Sequence, residues 1–285
     1  MSPFVTRFAP SPTGLLHRGH AFSALMAFEA ARREGGRFLL RIEDIDAGRC
    51  RPQFEMAILE DLAWLGLAWE APVRRQSEHL AEYGAAIGSF AARGLVYRCF
   101  RTRSEVLEEI GRAPHAPEAA PFRGGALAEP DEGARLERGE PFAWRLSLEA
   151  ARRALGGTWD RLGFLEEGRG PGGEQGPIKA NPEQAGDVIL ARKDLGVAYH
   201  LAVVVDDGLQ GVTHVVRGED LFEAAHIQVL LQALLGLPAP AYRHHPLLLR
   251  PDGKRFAKRD TAETLAGIRA RGVSPQTLRR ELGFD

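Results

Sequence analysis

The first twenty residues contain a strand, a rigid turn and the start of a helix, and this junction limits the fold more than any other stretch. Residues Val5 to Phe8 are typical of the end of a strand, and Pro10, Pro12 and Gly14 exclude regular structure in the turn. Apolar residues then recur at helical spacing from Ala21 to Arg33. A helix that starts there points its unpaired backbone N–H groups and its positive dipole end at the turn, so we predict an anion-binding site.

Two histidines, His17 and His20, stand at the predicted helix entrance with Gly19 between them. Imidazole N–H groups can donate to phosphate oxygens, and a glycine lets a ligand approach the backbone closely. Taken singly, each histidine is more typical of a surface side chain on a structural loop. The spacing His-x-Gly-His after a strand favours a phosphate site instead.

The chain after this helix favours an α/β fold. Gly35 and Gly36 end the helix, and residues Arg37 to Ile42 are typical of a buried strand that runs parallel to the first. The right-handed crossover of such a unit predicts a doubly wound, Rossmann-type parallel sheet. Helices are predicted over residues 51–65 and 77–93, with a loop containing Pro72 between them.

The later part of the chain is more varied. Thr102 and Glu105 have capping-box spacing, and residues 142–155 predict a strand followed by a helix. The glycine-rich stretch 168–176 does not lie between a strand and a helix, so we assign it no phosphate role. Residues 187–205 predict a β-hairpin that ends in Asp206 and Asp207, and residues 212–235 predict a strand and an amphipathic helix.

Composition excludes several classes of protein. A chain of 285 residues with 44% hydrophobic residues can bury a sizeable core. Two cysteines, Cys50 and Cys99, make no disulfide framework, and no apolar run approaches the roughly 20 residues of a membrane span. Because the start Met-Ser-Pro-Phe also lacks the features of a signal peptide, we expect a cytoplasmic protein with no membrane partner. We also expect a monomer.

Charge allows nucleic-acid binding only at a local patch, because the net charge is −1. One such patch lies between residues 241 and 285, which contain ten Lys and Arg but only five Asp and Glu. For the last four arginines, a solvated helix face is the better interpretation.

Residues 7–20, which read Arg-Phe-Ala-Pro-Ser-Pro-Thr-Gly and then His-x-Gly-His, resemble the first signature of the glutamyl branch of class I aminoacyl-tRNA synthetases. The chain as a whole resembles the small glutamyl-Q tRNA(Asp) synthetases. This resemblance implies a Rossmann-type catalytic domain with its first half in residues 1–97 and its second half in residues 186–249. It also implies an inserted α+β connective subdomain in residues 98–185, and a signature loop with helices in residues 250–285.

The resemblance also implies roles for particular residues. Glu43, in Arg-Ile-Glu-Asp, would contact the α-amino group of L-glutamate, and Arg217 would pair with a substrate carboxylate. The full set implied for glutamate is Arg7, Phe8, Ala9, Pro10, Ser11, Glu43, Tyr199 and Arg217. Without the resemblance, we would interpret Tyr199 as a half-buried strand aromatic.

The set implied for ATP is His17, Gly19, His20, Arg255 and Lys258, of which His17, His20 and Lys258 would be catalytic. The family carries Lys-x-Ser-Lys where this chain has Arg255-Phe256-Ala257-Lys258. The basic charge at the first position is kept, whereas the serine hydroxyl is lost. Alone, this basic stretch would be interpreted as a charged loop.

Many members of the resembled family hold zinc with Cys-x-Cys followed by Tyr and Cys. In this sequence only Cys99 remains, because Arg101 occupies the second cysteine position and no third cysteine follows. A cation cannot replace a thiolate ligand, so we expect no zinc. Mg²⁺ is expected with ATP.

The resemblance implies an enzyme that activates L-glutamate with ATP to glutamyl-adenylate without tRNA and transfers glutamate to the queuosine base of tRNA(Asp). Two alternatives stay open: an ordinary glutamyl-tRNA synthetase, and a non-catalytic paralogue that binds tRNA or nucleotide. The first would be expected to carry an anticodon-binding domain of about 100 residues or more, whereas 26 residues follow Arg259. The second is supported only by the changed signature loop.

Overall fold

A parallel sheet begins with the N-terminal strand. The computed structural model describes residues 3–102, 104–106, 121–192, 196–248 and 264–284. Strand β1 (Val5–Phe8) pairs in parallel with β2 (Arg37–Ile42), and β2 pairs in parallel with β3 (Glu70–Arg75). Helix α1 (Arg18–Arg33) connects β1 to β2, so the predicted β-α-β unit is confirmed.

The sheet continues through strands from later in the chain. The Thr213 N–H donates to the Val5 carbonyl at 2.9 Å and brings β9 (His214–Gly218) beside β1. Strand β10 (Ala241–His245) runs parallel to β9 and to β6 (Gly163–Glu166), and an antiparallel strand completes the edge, β7 (Gly176–Lys179). The spatial order is therefore β3, β2, β1, β9, β10, β6, β7.

This order reverses the direction of winding between β1 and β9. Open α/β sheets bind ligands outside the carboxyl ends of the strands at such a reversal. The predicted doubly wound α/β fold is confirmed, and the reversal lies where β1 runs into the proline-rich turn.

A separate antiparallel sheet is inserted between β3 and β9. It contains β4 (Val96–Cys99), β5 (Ala143–Leu146) and β8 (Ile189–Arg192) in the order β4, β5, β8. The Thr102–Glu105 capping box is present, with the Glu105 carboxylate accepting from Thr102 N–H at 2.6 Å. Residues 107–120, which follow this box, lie outside the described residues.

Helices cover both faces of the parallel sheet. After α1 they are, in chain order, α2 (Pro52–Trp64), α3 (Leu80–Ala92), α4 (Glu129–Glu137), α5 (Leu148–Leu155), α6 (Tyr199–Leu209), α7 (Phe222–Leu235), α8 (Leu265–Ala270) and α9 (Pro275–Glu281). Apolar residues of α1, α2, α8 and α9 form one buried cluster, and those of α3, α6 and α7 belong to another. No helix of the described part of the chain is both long and apolar enough to span a membrane.

Two elements correct the sequence prediction. The second arm of the predicted hairpin is the helix α6, whose residues Leu201 to Asp207 are all buried. A short run of residues that is buried on every side shows neither helical nor strand periodicity. The three valines of this run therefore favoured a strand where the structure has a helix. Pro72 lies in β3 rather than in a loop, because β3 is an edge strand and tolerates the missing N–H.

Strand alternation decides which side chains reach α6. Along β2, Phe38 and Leu40 face the α1 and α2 side, whereas Leu39 belongs to the cluster on the α6 side. The period of two therefore directs Arg41 toward α6 as well. By the same rule, Val5 and Arg7 of β1 point to that side.

Asp61 is a buried acid in α2 that should lower stability at neutral pH. Burial is the main cause that raises the Asp61 pKa to about 6, and the nearest guanidinium, that of Arg269, is 3.7 Å away. An acid whose pKa is higher in the folded state than its ordinary 3.8 destabilises the fold as pH rises between these values.

We expect Asp61→Asn to be more stable than the wild type at pH 7.5 by roughly 1 to 3 kcal/mol, and the difference to vanish near pH 4. Urea unfolding at the two pH values measures this. Glu60→Gln removes a neighbouring charge that is 60% exposed, and should change stability at neither pH by more than about 0.5 kcal/mol. A gain of equal size at both pH values would contradict the explanation.

Candidate active site

Two arginines of the central strands share one aspartate of α6. Arg7 donates through Nε to Asp207 Oδ1 at 3.0 Å, and Arg41 donates through Nη1 to the same oxygen at 2.7 Å. All three side chains are buried. Burial alone would raise the pKa of Asp207, but the charges of Arg7 and Arg41 lower it below its ordinary value. The aspartate is therefore an anion that holds Arg7 at the carboxyl end of β1.

The preceding residue, Asp206, connects α6 to β3 and α3. It accepts from Arg74 Nε at 2.7 Å, from Gln76 Nε2 at 2.8 Å and from the Tyr83 hydroxyl at 2.8 Å. Burial, followed by the charge of Asp206, raises the pKa of Tyr83, so its hydroxyl stays a donor. The two aspartates thus attach α6 to all three strands of the first half of the sheet.

Glu43 follows β2 at the same edge of the sheet. Its Oε1 accepts from Arg41 Nη2 at 3.2 Å, and its backbone N–H donates to the Pro10 carbonyl at 3.0 Å. Burial raises the pKa of Glu43, and the charges of Arg41 and Arg7 offset this only in part. A cation beside this carboxylate would favour its charged form.

The two histidines cap the start of α1. His17 Nδ1 accepts from the Gly19 N–H at 3.1 Å, and the His17 N–H donates to His20 Nδ1 at 3.1 Å. The ring centroids are 3.7 Å apart. Because each Nδ1 is an acceptor, the proton of each neutral ring lies on Nε2. Both rings therefore present Nε2–H donors at the positive end of the helix dipole, as an anion site requires.

Arg217 lies at the carboxyl end of β9, across the reversal from Arg7. Its Nε donates to His244 Nε2 at 3.1 Å, its Nη1 to Gln228 Oε1 at 2.8 Å and its Nη2 to the Leu221 carbonyl at 2.9 Å. The guanidinium carbon also lies 5.1 Å from the ring centroid of Tyr242. These contacts fix the guanidinium at the edge of the sheet.

These groups surround one cavity of about 450 Å³. Of the residues predicted from the sequence, the cavity wall contains Arg7, Phe8, Ala9, His17, Gly19, His20, Glu43, Tyr199 and Arg217. Ser11 lines an adjoining cavity of about 500 Å³, which shares Glu43 and Tyr199 with the first. Tyr199 reaches both cavities as the first residue of α6 rather than from a strand.

The predicted ATP residues Arg255 and Lys258 lie outside the described residues, which stop at 248 and resume at 264. Both flanks of that segment lie at the site. Leu247 and Leu248 line the first cavity, and the Leu265 N–H donates to the Leu16 carbonyl at 2.8 Å beside His17.

Sequence reasoning missed several residues of the site. Arg41 lies in a predicted strand and Asp206 and Asp207 at the end of a predicted hairpin, and neither position by itself indicates a role in the site. Two carboxylates directly after five apolar residues would have been a usable signal, because buried acids are normally paired. His244 and Gln228, which hold Arg217, carried no recognisable pattern.

No metal centre is visible in the described parts of the chain. They contain no group of three or more His, Cys, Asp or Glu side chains placed to hold a metal ion. Cys99 is buried in a small cluster with Tyr97, Val106 and Phe122, and Arg101 is exposed.

A doubly wound sheet with a histidine-capped first helix and charged groups at the strand reversal is the arrangement expected of a nucleotide-using enzyme of the class I aminoacyl-tRNA synthetase type. The chain belongs to the family described as tRNA synthetases class I (E and Q), catalytic domain, whose model matches residues 3–163 and 169–283. The predicted ligase-type enzyme of this class is thereby confirmed, and the family implies the use of ATP.

Two curated relatives have high similarity. The glutamyl-Q tRNA(Asp) synthetase of Rhodobacter capsulatus is 48% identical over 98% of this chain and 100% of the relative. That of Symbiobacterium thermophilum is 42% identical over 98% of this chain and 85% of the relative. A solved glutamate tRNA ligase from Elizabethkingia meningosepticum, crystallised with its amino acid, superposes with a TM-score of 0.79 at 28% identity. This chain covers 60% of the length of that ligase and 99% of its own.

Replacing Asp207 by Asn should destabilise the fold, because two buried guanidiniums would lose their shared anion. We expect a loss of about 3 kcal/mol or more at pH 7. The pKa of Asp207 lies below its ordinary 3.8 in the folded state, so its contribution is complete above that value and disappears as pH falls through the lower one. Urea unfolding measures both.

The matched control is Glu149→Gln, which removes a carboxylate that is 82% exposed and pairs only along its own helix. Its effect should stay below about 0.5 kcal/mol. If Asp207→Asn proved as mild as this control, the aspartate would not anchor the two strands.

Proposed function

We propose that this enzyme activates L-glutamate with ATP, without tRNA, and transfers the glutamate to the queuosine base of tRNA(Asp). The observation that carries the proposal is the single cavity in which the capped start of α1 faces Arg7, Glu43, Tyr199 and Arg217. A phosphate-binding helix start and buried groups of both signs at one strand reversal suit a reaction between a nucleotide and an amino acid.

The α1 end of the cavity would bind the phosphates of ATP. Nε2–H groups of His17 and His20 can donate to phosphate oxygens, and Gly19 leaves the backbone open to close approach. By resemblance, Lys258 and Arg255 would add positive charge from the segment whose flanks meet the cavity. Since phosphoryl transfer needs little covalent chemistry from the protein, these groups would act by positioning and by neutralising charge.

The sheet end of the cavity would bind glutamate. The Glu43 carboxylate can pair with the α-ammonium group, while Arg217 and Arg7 can pair with carboxylates. Phe8 and Ala9 would form the wall of the turn, and Ser11 and Tyr199 would reach the amino acid from the adjoining cavity. Pro10 lines neither cavity, and its carbonyl instead accepts from the Glu43 N–H. Glutamine would be rejected because its neutral amide leaves a buried guanidinium poorly paired.

In the proposed first step, an α-carboxylate oxygen of glutamate attacks the α-phosphorus of ATP in line. A new P–O bond forms, the bond to the bridging oxygen breaks, and pyrophosphate leaves with that electron pair. Mg²⁺ would enter on the phosphates of ATP, since it is usually bound through substrate phosphates and few protein ligands. Acyl transfer to a hydroxyl of queuosine would follow and release AMP.

Support for the acceptor comes from the comparisons. Identity to the two glutamyl-Q synthetases is 48% and 42%, which is somewhat higher than the 40% and 39% shared with two curated glutamate–tRNA ligases. The alternative acceptor, the 3′ end of tRNA(Glu), uses the same activation chemistry and differs only in the second step.

Pyrophosphate exchange should depend on glutamate and ATP and proceed without tRNA, because the proposed contacts all come from this chain. Lys258→Ala should slow the exchange at least about 100-fold, the usual effect of losing a preorganised electrostatic contact. Lys179→Ala is the control, since Lys179 is exposed and lies on β7 away from the cavity. A strict need for tRNA would favour an ordinary synthetase, and near-normal exchange by Lys258→Ala would refute the assigned register of the loop.

Radiolabelled glutamate should be transferred to queuosine-containing tRNA(Asp). It should not appear on tRNA(Glu) or on tRNA(Asp) without queuosine, because the proposed acceptor hydroxyl belongs to the modified base. Acid-precipitable label on the three purified tRNAs measures this. Charging of tRNA(Glu) alone would overturn the acceptor and leave the activation step standing.

A further inference from the structure

A chain of buried polar side chains lies behind Arg217. Glu166, at the end of β6, accepts from His244 Nδ1 at 2.5 Å, and His244 Nε2 accepts from Arg217 Nε at 3.1 Å. The side chains of Glu166 and His244 are fully buried. The second oxygen of Glu166 accepts two backbone N–H groups, those of Gly168 at 2.8 Å and His244 at 3.0 Å. Three adjacent strands, β6, β10 and β9, thus contribute one side chain each.

The hydrogen bonds determine the tautomer of His244. A guanidinium can only donate, so His244 Nε2 must be an acceptor without a proton. The ring proton therefore lies on Nδ1, where it is donated to the Glu166 carboxylate. Burial is the main cause that lowers the pKa of His244, and the charge of Arg217 acts in the same direction, so the ring is neutral.

The charge of Arg217 is not neutralised by a direct partner. Among the described residues no carboxylate lies within ion-pair distance of its guanidinium, and its three partners, His244, Gln228 and the Leu221 carbonyl, are all neutral. By contrast, Arg7 is paired directly with Asp207. The charge of Arg217 also affects a neighbouring group. Burial is the main cause that lowers the pKa of His200 to about 4, and the positive charge of Arg217 lowers it further.

We propose that Glu166, His244 and Gln228 are positioning residues that hold Arg217 in a fixed orientation while leaving its charge available for the side-chain carboxylate of the substrate. Three of the five N–H donors of Arg217 are committed to the protein, and two remain for a ligand. In this arrangement, Arg217 rather than the neutralised Arg7 provides the main discrimination between glutamate and glutamine. The inference rests on the proposed function.

Glu166→Gln tests the orientation of Arg217. The amide oxygen can still accept the two backbone N–H groups, but the amide nitrogen would face His244 Nδ1 and force the ring proton onto Nε2. That proton would then oppose the Nε–H of Arg217. In ATP–pyrophosphate exchange, we expect the KM for glutamate to rise about tenfold or more, while the KM for ATP and the kcat change less than about twofold.

The control for this variant is Glu167→Gln. Glu167 is the next residue in the chain, is partly exposed, and accepts from Arg243 Nη2 at 2.8 Å. Its replacement should leave both KM values unchanged. An unchanged glutamate KM in Glu166→Gln would overturn the inference.

Gln228→Glu tests the availability of the charge. A carboxylate placed against Arg217 Nη1 would neutralise the guanidinium and compete with the substrate. Stability in urea should be equal or greater, whereas the KM for glutamate should rise about 30-fold or more. Gln228→Met, which adds no charge, should raise this KM less than Gln228→Glu does.

If Gln228 had a purely structural role, a variant that keeps or raises stability would also keep its affinity for glutamate. If Gln228→Glu stabilised the protein and bound glutamate normally, or if Gln228→Met were the more damaging variant, the proposal would be wrong. A wild-type enzyme without glutamate-dependent exchange would overturn the proposed function together with this inference. If the wild type is active and the KM for glutamate is unchanged in the variants, the inference alone would be overturned.

Discussion

The Asp207 carboxylate, shared by Arg7 and Arg41, is the interaction on which the site depends. Three charged side chains are removed from water at a desolvation cost, and their mutual attraction offsets that cost only while all three are present. The shared oxygen attaches α6 to the two central strands of the first half-sheet. Asp206 extends the attachment to β3 through Arg74. The same helix brings Tyr199 to the cavity, so the sheet end of the cavity and the core are held by one ion cluster.

The two arginines that face the cavity occupy different electrostatic environments. Arg7 belongs to the ion cluster and is balanced by an anion of the protein. Arg217 contacts neutral acceptors and the face of Tyr242, and the Glu166 carboxylate binds the opposite side of the His244 imidazole. A buried charge without a direct counter-ion is costly, and a substrate carboxylate would relieve that cost. Under the proposed function, this difference would make the two arginines contribute unequally to specificity.

The α1 end of the site uses a different principle. There the side chains of His17 and His20 replace the usual serine or threonine cap, so the helix start is satisfied internally through the two Nδ1 atoms. The proton of each neutral ring lies on Nε2, an atom that can donate to an anion. The contact between Leu265 and Leu16 then fixes the C-terminal helices beside this cap. The α1 end and the sheet end of the cavity meet only because β1 and β9 are neighbours in the sheet.

The sequence alone was sufficient for the local features. Proline and glycine in the turn, the period of α1 and the apolar run of β2 predicted the β-α-β unit, because steric restriction and periodicity act within a few residues. The motif of residues 7–20 also predicted the class of enzyme that the comparisons show. The roles assigned to individual site residues stay predictions.

Only the tertiary structure decided the rest. Residues 199–207 form a helix because surrounding elements bury every side of it, and such burial removes the periodicity by which a sequence distinguishes helix from strand. The pairing of Arg7 with Asp207 spans 200 positions, and the chain from Glu166 to Arg217 joins three strands that become neighbours only in the folded sheet. Burial, charge balance and hydrogen-bond direction belong to the assembled environment, so no local pattern could reveal that, among the described residues, Arg7 pairs with a carboxylate whereas Arg217 has neutral partners.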